Sequence, residues 1–345
     1  MSNIYHDHLD HLEHLRSIKI GSSPAISMYI PLRWTDLPPG KVFSALVKVA
    51  DSLLLKEGHP KLIINHTDWE RWEKQGTITL GIFYHAGVTT LIPLPIRMQP
   101  RVVVADSFHI KPILAAASEY MDALLLHFNE RGASLYRINS AGETLVDSFL
   151  PAETKPKFDW PSRIDKSSLH EFLEFLILDV KGSIKNCTKI LGITGSGFSE
   201  LRSELFWKKA GLPIVFLDES FKSDSPQNSF SIMRLRLSLF VNEKHSQAVL
   251  KAIKTNSSFE ISSSVKGLGE DILNKKINHL CVSLDDMHFG ELDSTTGQVI
   301  VNKSQFNSRD DDLLDDLVEL AIDNGIKVSV VPKKYLPNGR SFVAS

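Results

Sequence analysis

Between Ala123 and Leu217 the chain changes its hydrophobic period, and that change limits the fold more than any other feature. Ala123 to Phe128, Ala133 to Asn139 and Glu143 to Leu150 are short β-prone runs bounded by Gly or Asn, the pattern of a three-stranded meander. A polar stretch from Pro151 to Ser168 follows. Beyond it Leu169, Phe172, Leu173, Leu176, Ile177 and Val180 describe a wide apolar helix face, followed by a strand at Lys189 to Thr194, a helix at Phe198 to Ala210 and a strand at Ile214 to Leu217. Strands separated by helices pair in parallel, whereas a meander pairs antiparallel. One mixed sheet in an α/β domain is therefore expected.

A chain of 345 residues is too long for one ordinary core. The pattern divides it into an N-terminal α/β domain at 1–112, a central domain at 113–218, a polar linker at 219–231 and a C-terminal domain at 232–345. In the first, Leu9, Leu12 and Leu15 recur at helical spacing, and Ala25 to Leu32 reads as a buried strand. Val42, Ala45, Leu46, Val49 and Leu53 mark a second helix face. Thr77 to Tyr84 and Val88 to Leu94 form a hairpin across His85-Ala86-Gly87, and Arg101 to Ser107 is a further strand. In the last domain a helix runs through Ala248, Leu250 and Ile253, Ile277 to Leu284 is a strand, and Phe289 to Val301 folds as a hairpin around Gly297. Ser308 is a suitable N-cap for a helix with Asp310, Asp311 and Asp312 in its first turn, where the helix dipole favours anions. Leu313, Leu314, Leu317, Val318, Ala321 and Ile322 supply its apolar face, Asn324-Gly325 ends it, and Lys327 to Val331 is the final strand.

Composition and charge exclude several classes. The chain is 42% hydrophobic and 23% charged, with no run of about 18 apolar residues able to span a bilayer. The segment Met1 to Ser17 has no basic region followed by an apolar one, so a cytoplasmic protein is expected. Cys187 and Cys281 sit at or within apolar runs and read as buried reduced thiols, too few for a cysteine-rich metal centre. Cut near Pro112 and Asp218, the three segments carry 12 basic against 10 acidic, 12 against 14, and 15 against 17 residues. No domain has the basic excess of a dedicated nucleic-acid binder, and any RNA contact must be local.

Three stretches read together resemble a known family. The meander Ala123 to Leu150, the polar loop and then Leu191-Gly192-Ile193-Thr194-Gly195-Ser196-Gly197-Phe198 resemble the central domain of the archaeo-eukaryotic peptide-chain release factors and Pelota. Leu268-Gly269-Glu270 to Leu284, the Asp-rich stretch Asp310 to Asp316, Ile326 to Val331 and Leu336-Pro337-Asn338-Gly339 resemble the L7Ae/L30e-type domain of the same proteins. Phe108-His109-Ile110-Lys111-Pro112 at the first border resembles the bacterial branch of that family. The resemblance implies a three-domain chain with a mixed-sheet central domain and an L7Ae/L30e-like α/β/α C-terminal domain. In that family a Gly-Gly-Gln tip on the central-domain loop assists water in cleaving peptidyl-tRNA. Here the corresponding loop, Pro151 to Ser168, has neither glycine nor glutamine, and Thr296-Gly297-Gln298 lies on the expected hairpin, where it reads as an ordinary turn. The resemblance thus implies a ribosome or a structured RNA, tRNA or rRNA, as partner, in translation rescue or stress, without a catalytic residue or cofactor. The alternatives are a metal-dependent nuclease or hydrolase using central-domain carboxylates and a protein–protein adaptor.

Within that loop Lys155, Lys157, Arg163 and Lys166 are suited to phosphates, and Phe158 and Trp160 offer faces for base stacking. Glu153, Asp159 and Asp165 offset most of the charge, and a solvated loop is the plainer reading. Gly195-Ser196-Gly197 between strand and helix has the form of a phosphate turn, without the lysine of a P-loop. His6, His8, His11 and His14 form the densest histidine group, but no ordered carboxylate set completes a metal site. A metal-dependent nuclease or hydrolase would need Asp122, Asp147 and Asp218 to converge from strand ends.

Overall fold

The computed structural model describes residues 8–21, 23–32, 36–64, 69–74, 77–117, 122–129, 132–139, 142–149, 191–195, 214–216, 243, 246–255, 264–305 and 307–345. The chain forms two compact units. One joins Asp7–Glu119 to Val241–Ser345, and the other comprises Tyr120–Phe240 with Met1–His6.

The N-terminal part of the first unit begins with α1 (His8–Ser17), which buries Leu12 and Leu15. All seven residues of β1 (Ala25–Pro31) are buried, as expected of a strand covered on both faces. It lies inside a four-stranded antiparallel sheet of order β3-β2-β1-β4, with β2 (Thr79–His85), β3 (Val88–Leu94) and β4 (Arg101–Ala105). Ala86 and Gly87 both take positive φ, 48° and 85°, and His85 pairs with Val88. This is the two-residue turn whose twist matches that of the strands it joins.

Helix α2 (Pro39–Lys56) packs on β1 and β4. Its buried residues are Val42, Ala50 and Leu54, while Ala45 and Val49 of the expected face are exposed. Lys41, Ser44, Lys48, Ser52 and Lys56 gather on one exposed side of the helix, and Ala45 and Val49 stand at the margin of that side, so the buried stripe lies further round than the expected one. After α3 (Trp69–Lys74) and β4, the chain enters α4 (Lys111–Ala117).

In the second unit β5 (Asp122–Asn129), β6 (Gly132–Asn139) and β7 (Gly142–Phe149) form the expected meander, with a bulge at Leu135/Tyr136. β8 (Leu191–Gly195) and β9 (Ile214–Phe216) continue it as parallel neighbours, giving one sheet of order β7-β6-β5-β8-β9. The mixed sheet is thus present, because its two pairing modes follow from two connection lengths. The expected helices at 169–180 and 198–210 lie outside the described residues.

The chain returns to the first unit with the expected helix, α5 (246–255), which buries Val249 and Ile253, packs Leu250 against the same cluster and leaves Ala248 exposed. α6 (Leu268–Leu273) leads to β10 (His279–Ser283). β11 (Phe289–Leu292) and β12 (Val299–Val301) are the expected hairpin, and β13 (Asp311–Asp312) joins them in the order β12-β11-β13. α7 (Leu313–Asp323) follows, and Gly325, at φ 72°, ends it. β14 (Lys327–Val331) pairs parallel with β10.

Two expectations for this part are corrected. Ser308 does not cap α7. Asp311 and Asp312 pair with β11 in extended conformation, so the helix begins only at Leu313, and the Asp312 carboxylate accepts from the Leu314 N–H at 3.2 Å. Nor is Lys327–Val331 the last strand. β15 (Phe342–Ala344) closes the other edge of β10, where unpaired backbone groups select a segment too short to show a period. The core of the unit contains residues from both parts of the chain, among them Leu15, Tyr29, Phe83, Ile110, Leu268, Leu280, Leu317 and Val330. Among the described residues no helix is long and apolar enough to cross a membrane.

Candidate functional site: a buried charged seam

The two parts of the first unit meet along a row of charges with almost no exposure. Phe108-His109-Ile110-Lys111 runs into α4 and lies against β13 and the first turn of α7. His109 is 2% exposed, Lys111 0%, Asp312 1% and Asp315 3%. Removing such groups from water costs several kcal/mol each unless partners answer them.

The partners are present. Asp315 accepts from the Ile110 N–H at 3.0 and 2.9 Å and from the Lys111 N–H at 2.6 Å, and His109 Nδ1 lies 3.2 Å from its carboxylate. Burial pushes the Asp315 carboxyl up, but His109, Lys111 and the Ile110 amide outweigh it and hold the group below its usual value. Lys111 Nζ is ion-paired with Asp312 and donates to the Asp286 carbonyl at 2.8 Å. The other oxygen of Asp312 accepts from the His288 N–H at 3.1 Å, so this residue joins cap, strand and ion pair.

The N-terminal side is equally fixed. Ser27 Oγ accepts from the His109 N–H at 3.0 Å, and the Tyr29 hydroxyl donates to the His109 carbonyl. The Tyr29 and His109 rings meet edge to face at 5.8 Å. Arg101 reaches across to the Asp285 carbonyl at 2.8 Å, while the Asp286 carboxylate accepts from Lys333 at 3.0 Å and Ser341 at 2.7 Å.

A second set of acids flanks the first. Asp311 is buried, its carboxyl meets that of Asp316, and burial with the neighbouring acids raises it well above the usual range. Burial and then Asp315 push Asp316 up to about 8, and burial does the same to Glu319. Nearby, a cavity of about 450 Å³ is lined by Glu57, Asp106, Glu291, Ser308 and Arg309 among others. Among the described residues no group of His, Cys, Asp and Glu is arranged to hold a metal ion. Most of the seam's donors and acceptors answer each other, Asp311 Oδ1 being left without a donor, and the arrangement docks one chain segment on another.

The residues expected to carry function fall elsewhere. Lys155, Lys157, Phe158, Trp160, Arg163 and Lys166 lie outside the described residues, as do Ser196 and Gly197. Gly195 is the last residue of β8 and pairs with Phe128. His6 lies outside the described residues, and His8 Nε2 is 3.1 Å from the Pro93 carbonyl oxygen. Asp122 opens β5, but Asp147 sits within β7 opposite Leu135, which faces Leu126 of β5. That register separates the two backbone positions by roughly 16 Å, given about 3.3 Å per residue and 4.8 Å between strands. Asp218 lies outside the described residues.

Thr296-Gly297-Gln298 closes the β11–β12 hairpin, with Gly297 N–H donating to the Asp293 carbonyl at 2.8 Å. The Asp293 carboxylate accepts from the Thr295 hydroxyl at 2.6 Å and from the Thr295 and Thr296 N–H groups at 2.8 and 3.2 Å, and the Thr295 hydroxyl first, then these amides, pull it down to about 2. Gly297 lies backbone to backbone against Gly269, which gives Leu268-Gly269-Glu270 a structural reason. In the sequence Phe108 to Pro112 stands out only through a resemblance, and the aspartates stand out as a helix start. The available signal was a histidine and a lysine alternating with apolar residues at 108–112, and five aspartates between 310 and 316.

No protein-family model matches the chain, and no curated protein matches it. Solved structures do align with it. Pelota of Archaeoglobus fulgidus aligns at 13% identity and TM-score 0.44, over 98% of this chain and 90% of that one. Dom34 of S. cerevisiae, a translation termination-like factor involved in RNA quality control and interacting with Hbs1, aligns at 10% identity and TM-score 0.31, over 98% and 91%. The archaeal termination factor aRF1 aligns at 14% identity and TM-score 0.23, over 100% and 97%.

Proposed function

We propose that this chain is a release-factor-like protein that binds the ribosome or a structured RNA in translation rescue or stress, without hydrolysing peptidyl-tRNA. The observation that carries the reading is the order of its motifs on the order of its elements. The meander β5–β7 precedes a strand ending at Gly195, and Leu268-Gly269-Glu270 opens α6. The Asp-rich stretch then leads into α7, and Leu336 to Gly339 follows β14. The loop Pro151 to Ser168 carries lysines, an arginine and aromatics where the family carries Gly-Gly-Gln, which favours contact over catalysis.

Sedimentation of tagged protein from its own cells through a sucrose gradient tests this directly. Binding through phosphate contacts predicts co-migration with ribosomal particles that is lost at high salt. Protein confined to the top of the gradient, with and without translational stress, overturns the proposal and leaves the adaptor reading. A combined Lys155→Ala, Lys157→Ala, Arg163→Ala variant is expected to weaken co-migration if the loop is the contact.

A further inference from the structure

Asp311 Oδ1 is buried and has no donor, and the Asp311 carboxyl lies against that of Asp316. An ionised carboxylate only accepts, so two of them in contact leave lone pairs facing each other. A proton on one converts it to a donor and satisfies the contact.

The surrounding charges do not supply another remedy. Asp106, beyond β4, and Asp312 and Asp315, from the same segment as the pair, are all acidic. Lys111 is engaged by Asp312, and His109 by Asp315. Arg309 acts on Asp106 together with Glu291, and Arg16 of α1 is ion-paired with Asp323 and acts on Glu319.

We propose that the Asp311–Asp316 pair is a proton-held latch, in which a shared proton keeps β13 and the first turn of α7 seated against the 106–111 run and its loss loosens them. Burial and like charge raise both carboxyls, Asp316 to about 8, so the proton is held at neutral pH and leaves on mild alkalinisation. The loosened seam exposes the amides of Ile110 and Lys111, which the Asp315 carboxylate otherwise covers.

Hydrogen–deuterium exchange of the full chain at pH 6.5 and 9, corrected for the intrinsic rate, reads this out in peptides covering 106–117 and 307–318. Exchange is expected to rise about tenfold for one proton released over one pH unit. Asp311→Asn, which carries a permanent donor, is expected to abolish the rise, and Glu319→Gln to leave it in place. Equal corrected exchange at both pH values, persistence of the rise in Asp311→Asn, or its loss in Glu319→Gln would each overturn the latch. Should Asp311→Asn fail to fold, infrared difference spectra of the Glu319→Gln chain, which lacks the other carboxyl raised to about 8, decide. A protonated-carboxyl band must be present at pH 6.5 and diminished at pH 9, and its absence at pH 6.5 overturns the proposal.

Discussion

Asp315 holds together two pieces of chain whose bonded partners lie 205 positions apart. Both its oxygens accept, so replacing the carboxylate by an amide substitutes a donor where two backbone N–H groups already point. Asp315→Asn is expected to cost about 3–5 kcal/mol, as breaking one side of a buried pair does, read as a lower urea midpoint. Lys276→Ala is the contrast. It removes an ion pair to Asp271 in which the lysine side chain is 64% exposed, and the expected change is within about 1 kcal/mol. Cys281 makes a different point at the same scale. It is fully buried, and burial pushes its thiol up to about 12. In a Cys187→Ser background its alkylation at pH 8 is expected to be slow and to track unfolding, and rapid modification of the native chain would contradict this.

Among the elements, the contact of α6 with the β11–β12 hairpin depends on glycine at both sides. Gly297 has φ 74°, and a Cβ there would lie 2.6 Å from the Glu270 nitrogen and the Gly269 carbonyl carbon. Gly87 has a similar φ of 85° but open space around it. Gly87→Ala is therefore expected to cost about 1 kcal/mol from backbone conformation alone, and Gly297→Ala distinctly more, measured as melting temperatures of the two variants. Hairpins and the meander were legible in the residues because strand period and turn chemistry are local properties. The face of α2 was set off-centre, since Ala45 and Val49 continue an apolar spacing into the margin of the side that carries Lys41, Ser44, Lys48 and Ser52. The start of α7 was not legible. Ser308 and Asp312 are both good caps, and pairing of Asp311 and Asp312 with β11 decided between them.

For the molecule as a whole, the acids of α7 set the dependence of stability on pH. Asp316 and Glu319 are raised from ordinary carboxylate values to about 8, so the stability linked to their protons is full at low pH and is lost as pH rises toward 8. Asp315 is lowered, so its contribution is present above its ordinary value of 3.8 and disappears as pH falls through the depressed one. The unit shared by 7–119 and 241–345 is expected to be most stable between these limits. Calorimetry is expected to show a melting temperature that falls from pH 5 to pH 9, and a rise over that interval would show that these acids are not held protonated in the fold.

The sequence by itself determined the mixed sheet, the near-neutral charge of each segment, the glycine-free loop and the order of motifs, because period, turn chemistry and composition are written in neighbouring residues. The tertiary structure alone decided that Lys111 meets Asp312, that His109 meets Asp315, and that Asp311 meets Asp316 at that same seam. A charged residue between apolar ones shows that some partner must exist, since a buried charge alone is too costly. Which partner it is depends on how distant segments pack, and no local pattern carries that.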